Sequence, residues 1–128
     1  MALRGIEKVD PQALAAQRSL TQALWLTLEG QGVKNRTSGR IECFFVAGAD
    51  TVAAALVNAF PAEWDHEVSP RDGVISVKIT TPLVHLSRDA LLELVDVMMI
   101  AADEAGCVFD GFQVDLSDLQ RRPWWKFW

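Results

Sequence analysis

After Asp10-Pro11, apolar residues recur near helical spacing at Leu14, Leu20, Leu24 and Leu28, with Ala16 and Ala23 beside them. Asp caps a helix start and Pro fits its first turn, so a helix is expected from that dipeptide. Gly30 and Gly32 end it. The polar stretch 31–40 reads as a loop. Ile41–Val46 is rich in β-branched and aromatic residues and predicts a strand. Gly48 turns the chain, and Asp50 is placed to cap a second helix over Thr51–Phe60, closed by Pro61. Its expected stripe is Val52, Ala55, Leu56 and Ala59.

Trp64–Ser69 alternates weakly, with Trp64, His66 and Val68 against Asp65 and Glu67. Pro70-Arg71-Asp72-Gly73 is a turn signal, so a hairpin leads into a third strand over Val74–Thr81. There Ile75, Val77 and Ile79 face one way and Ser76, Lys78 and Thr80 the other, which describes a sheet buried on one face. Pro82 stops the strand. Ser87 then caps a long helix from Arg88 to about Glu104, with Leu91, Val95, Met98 and Ala102 on its buried stripe and Gly106 as its stop. Cys107–Leu116 is a fourth strand interrupted at Asp110-Gly111, where a bulge is expected.

From residue 41 the order is β-α-β-β-α-β, preceded by one helix. Right-handed crossovers then favour an α+β fold of ferredoxin-like type: a four-stranded antiparallel sheet with both helices on one face and an additional N-terminal helix. Residues 1–120 form the expected single domain, and 121–128 a basic aromatic tail. Phe44 and Val46 fall on the face opposite Cys43 and Phe45. That face calls for a cover: the first helix, the tail or a second subunit.

Composition narrows the class. At 128 residues, half of them apolar and 23% charged, the chain suits one packed domain. Two cysteines do not make a disulfide scaffold, and no apolar run approaches the ~18 residues of a membrane span. Met1–Asp10 is charged and lacks the apolar core of a signal peptide, so the expectation is a cytoplasmic protein with reduced thiols. The net charge of −5 is uneven. Residues 41–120 carry fourteen Asp/Glu against three Lys/Arg (Arg71, Lys78, Arg88), whereas residues 1–40 and the tail are each net basic. An acidic middle repels nucleic-acid backbones and attracts a basic partner; it also serves as a solvated surface. No direct nucleic-acid binding is expected.

Catalytic and metal-binding patterns are missing from the sequence. The two histidines, His66 and His85, stand at no ligand spacing to Cys43 and Cys107, and no C-x-x-C, H-E-x-x-H or calcium-loop motif occurs. Both cysteines fall in predicted strands, where buried thiols are inert. Gly30-Gln31-Gly32 follows a helix instead of opening one, so it is no phosphate cradle. Asp65 and Glu67 share one face of a predicted edge strand, where charge blocks unwanted pairing. No catalytic residue, metal or cofactor is expected.

The tail, Arg121-Arg122-Pro123-Trp124-Trp125-Lys126-Phe127-Trp128, holds three of the five tryptophans. It reads either as a segment folded back over the open sheet face near Phe44 or as a docking peptide for a partner or membrane surface.

Over roughly residues 12–119 the chain resembles the regulator of ribonuclease E activity B family, the ribonuclease E inhibitor domains. The resemblance runs through QALAAQRSLTQALWLTLEGQG, TSGRIECFFVAGAD and TVAAALVNAF, and is most specific in DALLELVDVMMIAADEAGCVFDGFQVDL. In that last segment a long helix leads through a small turn into a strand with an aromatic-Asp-Gly-aromatic step, here Phe109-Asp110-Gly111-Phe112. This sequence has phenylalanine at both aromatic positions, where the family carries tyrosine and tryptophan, and it ends basic where the family often ends acidic. The resemblance implies a ferredoxin-like, non-catalytic protein that binds ribonuclease E at its non-catalytic portion and lowers RNA cleavage.

Charge and position single out Asp103, Glu104, Asp110, Phe112, Asp115 and Asp118 as candidate partner-binding residues, joined in the tail by Trp124, Trp125, Phe127 and Trp128. Asp110 reads either as the local bond-maker of a bulge with Gly111 at positive φ, or as a partner-facing acid beside an exposed Phe112. A different class of function, a small-ligand-binding ferredoxin-like domain acting as a homodimer, is the alternative expectation.

Overall fold

A computed structural model of the chain describes residues 5–34 and 37–116. These form three α-helices, α1 (Pro11–Gly30), α2 (Asp50–Asn58) and α3 (Arg88–Ala105), after a single 3-10 turn at Ile6–Lys8. Five strands complete the fold: β1 (Ser38–Ala47), β2 (Asp65–Arg71), β3 (Val74–Thr80), β4 (Val84–His85) and β5 (Val108–Asp115). The fold is α+β, and every strand pair is antiparallel. β1 is central: β3 lies on one side of it and β5 on the other, and β2 flanks β3. Past Pro82 the chain stays beside β1, where Val84 and His85 pair with Gly39 and Ser38 as the short β4, which periodicity does not reveal.

The helices begin and end where side chains satisfy their orphan backbone groups. The Asp10 carboxylate accepts from the Gln12 N–H at 3.3 Å, with Pro11 in the first turn. The Ser87 hydroxyl accepts from the Ala90 N–H at 3.0 Å at the start of α3. At its end Gly106 takes φ 82°, and the Gly106 and Cys107 N–H groups return to Asp103 and Ala102 carbonyls at 3.3 and 2.9 Å. α2 differs from expectation: Asp50 is its first helical residue and Ala49 the uncapped residue before it.

One face of the sheet is the core. Ile41, Cys43, Phe45 and Ala47 of β1, Val77 and Ile79 of β3 and Phe109 of β5 meet Leu91, Val95, Met98 and Ala102 of α3 and Ala53 and Leu56 of α2. The Phe45 ring lies 5.3 Å from Phe109 and 6.3 Å from Phe60, tilted against both.

α1 packs on α3, joined by the Arg18–Asp96 ion pair at 3.4 Å, and lends Trp25 and Leu28 to the core. Its stripe is rotated from the expected one. Leu20 is 64% exposed and Thr21 buried, because the Thr21 hydroxyl satisfies itself on the Gln17 carbonyl at 2.7 Å and Trp25 fills the space toward α3. Ala55 of α2 and Ala59 just after it are likewise exposed, and Ala53 takes the inward position.

The hairpin is tighter than the four-residue turn expected. Pro70 and Arg71 belong to β2, and only Asp72 (φ 49°) and Gly73 (φ 84°) turn the chain. Both positive φ values mark the two-residue turn whose twist suits adjoining strands. Proline is admitted because β2 is the edge strand.

Candidate protein-docking surface

The second face of the sheet carries alternate residues of β1, Glu42, Phe44 and Val46, opposite Thr80, Lys78 and Ser76 of β3. Asp65, Glu67 and Ser69 of β2 continue these rows outward, opposite the same β3 residues. Of the covers open to Phe44, the first helix is excluded, because α1 lies on α3 in the helical layer. Among the described residues Phe44 and Val46 are left half-buried. They line a shallow groove of about 350 Å³ with Glu67, Arg71, Lys78 and Asp110 at its rim.

The groove's charges are organised by one lysine. Lys78 Nζ lies 3.2 Å from Glu42 Oε2 and 3.2 Å from Glu67 Oε2. Gln113 Nε2 of β5 donates to Glu42 Oε1 at 2.7 Å, so the row spans four strands, β5, β1, β3 and β2. The hydrogen bonds with Glu42 and then Glu67 raise the Lys78 ammonium above its ordinary range and hold it charged.

The step Phe109-Asp110-Gly111-Phe112 is where β5 meets β1 out of register. Phe45 faces Phe109 and Phe44 faces Gly111, which leaves Asp110 as the extra residue of a bulge. Gly111 takes φ 109°, as expected for a glycine there. In a regular strand residues three apart point to opposite faces. The extra residue resets the alternation, so Phe109 and Phe112 both turn to the core face: Phe109 against Phe45, Phe112 opposite Cys43. Phe112 is therefore half-buried against the core, which corrects its assignment as an exposed contact beside Asp110.

The candidate residues do not converge on one patch. Asp103 and Glu104 are exposed at the last turn of α3, in the helical layer. Asp110 is exposed at the rim of the groove. Asp115, half-buried, lies at the far end of β5 opposite Arg40. Asp118, Trp124, Trp125, Phe127 and Trp128 lie outside the described residues, as does the question of whether the tail folds back or docks. What charge counting overlooks is the apolar floor, Phe44 and Val46; their alternation with Cys43 and Phe45 is the signal that locates it.

Neither thiol is poised for chemistry. Burial pushes Cys43 up to about 12 and raises Cys107 above its ordinary value. Among the described residues no group of three or more His, Cys, Asp and Glu side chains is placed to hold a metal ion. No helix among them is long and apolar enough to cross a membrane. In comparisons with known proteins, no family model and no curated protein matches the chain.

Proposed function

We propose that the protein is a non-catalytic regulator that docks a basic segment of a partner protein on the open face of its sheet. The observation that carries this reading is the groove itself: an apolar floor of Phe44 and Val46 bordered by Glu67 and Asp110. The apolar floor supplies binding energy, the mixed charges at the rim (Glu67 and Asp110 with Arg71 and Lys78) supply orientation, and the excess of Asp and Glu over residues 41–120 supplies a fast encounter with positive charge. The resemblance of residues 12–119 to the ribonuclease E inhibitor domains names the partner: ribonuclease E or a related RNA-degrading assembly, met in the cytoplasm. We read the fold as ferredoxin-like. The run β1-α2-β2-β3-α3-β5, laid out as β2-β3-β1-β5, supports this, with β4 and α1 as additions.

The test is a ribonuclease E cleavage assay titrated with this protein, using the enzyme with and without its non-catalytic half. Inhibition that requires that half, weakens with salt and is lost in Phe44→Asp is the expected result. No inhibition and no binding at any salt concentration overturns the reading.

A further inference from the structure

We infer that the free edge of β2, with the trough between β2 and α2, receives an extended basic segment of the partner by strand addition. This rests on the reading of the chain as a protein-docking module and specifies the shape of what docks. Among the described residues no strand pairs with the far side of β2. The turn Asp72-Gly73 sets the phase of the ladder. Arg71 and Val74 flank it as a hydrogen-bonded pair, so Arg71, Ser69, Glu67 and Asp65 direct their backbone groups toward β3. Pro70, Val68 and His66 then direct theirs outward. Pro70 has no N–H to offer, and it sits where β3 needs none. The outward donors of Val68 and His66 remain.

The same two residues project their side chains to the side of α2, which covers them incompletely: Val68 is 44% exposed. Two cavities of about 270 and 330 Å³ share Val57, Asn58 and His66 and so adjoin between the helix and the strand. One end is floored by Ala53, Ala54 and Val68. The other holds Phe60 and Trp64, stacked at 5.6 Å. A strand added to β2 sends alternate side chains into this trough and the rest to the outer face.

Charge selects the occupant. Among the described residues Asp50 and Asp65 line the cavities and no Lys or Arg does, and on the outer face of β2 Asp65 and Glu67 stand with Arg71. Glu67 shares the single Lys78 with Glu42, which leaves two carboxylates answering one ammonium. The segment that fits alternates Lys or Arg with apolar residues.

The probe is a synthetic peptide alternating lysine with valine and phenylalanine, set against a control of the same composition with its lysines in one block. We expect the alternating peptide to bind at least tenfold more tightly and to protect the His66 and Val68 amides from hydrogen exchange. Val68→Pro removes an outward donor without touching a β3 bond, and it should weaken binding tenfold or more. Glu67→Lys should do the same through charge, and serves if the proline variant fails to fold. Equal affinity for the two peptides, or protection that misses both amides, overturns strand addition. Ribonuclease inhibition that survives both variants also overturns it and leaves the regulator reading standing. Absence of inhibition by the unaltered chain overturns the regulator reading instead.

Discussion

The backbone N–H of Ile41 donates to the hydroxyl of Thr81 at 3.0 Å, while the Thr81 N–H donates to the Ile41 carbonyl at 2.9 Å. Here the sheet leaves regular pairing as β3 gives way to Pro82, and the side chain stands in for a backbone acceptor. The hydroxyl in turn donates to the Pro82 carbonyl at 2.8 Å, so the buried Thr81 side chain is satisfied as donor and as acceptor. Thr81→Val strands the Ile41 donor and the Pro82 acceptor, and should cost about 1–3 kcal/mol. Thr81→Ser should recover most of that. Urea unfolding reads both, as a lower midpoint with an unchanged slope.

The two thiols should separate by reactivity. With Cys107→Ser in place, labelling of Cys43 by a disulfide reagent should proceed only as fast as the protein opens, since burial keeps the thiol protonated up to about 12. The same burial has a pH signature. The unfolded thiol ionises near 9.0 and the folded one near 12, so its contribution to stability is whole below 9 and is lost as pH climbs from there. Urea midpoints measured from neutral to alkaline pH should fall less steeply in Cys43→Ala than in the parent chain.

Deleting Asp110 should be better tolerated than deleting Gln113. Removal of the bulge residue lets Phe109 and Gly111 follow Phe45 and Phe44 in regular register, with Phe112 still facing the core. Removal of Gln113 turns Val114 away from the core face. Melting temperatures of the two deletion variants check this. Gly111→Ala should destabilise by about 1 kcal/mol: a Cβ there meets no atom within 4 Å, so the cost is backbone strain at φ 109°.

The Arg18–Asp96 pair should behave as a half-satisfied ion pair. Among the described residues Asp96 Oδ1 is buried without a hydrogen-bond partner, and Arg18 pairs with Oδ2. Arg18→Met should destabilise by leaving a half-buried carboxylate alone, whereas Arg18→Met with Asp96→Leu should match or exceed the parent. A double-mutant cycle by chemical unfolding measures the difference.

The legible parts of the sequence were those whose causes are local. α3 carries Ser87, a regular stripe and Gly106 within twenty residues, and the structure reproduces all three signals. Asp110-Gly111 announces a bulge by composition, and a bulge is there. The illegible parts depend on distant residues. Leu20 and Trp25 both fit a helical stripe, and only the position of α3 decides which is buried. Pro70 reads as a turn until the strand holding it proves to be an edge. Thr81 looks like the polar end of a strand; its partner stands forty residues earlier in the chain. At the candidate site, charge counting found Asp110 at the groove's rim but placed Phe112 on the wrong side, because the bulge that marks the motif also reverses its alternation.

The central place of β1 sets an order for folding during synthesis. Residues 38–47 leave the ribosome before either neighbour, so one flank of that strand waits for β3 and the other for β5, whose last paired residue is Asp115. Until β5 emerges, the nascent chain carries its middle strand with a bare rim and Phe45 without its Phe109 partner. Such a rim is the part of an incomplete chain that a chaperone must shield. A nascent chain that exposes residues 38–85 but not 108–115 should therefore be chaperone-bound, and release from the chaperone should coincide with the emergence of residues 108–115.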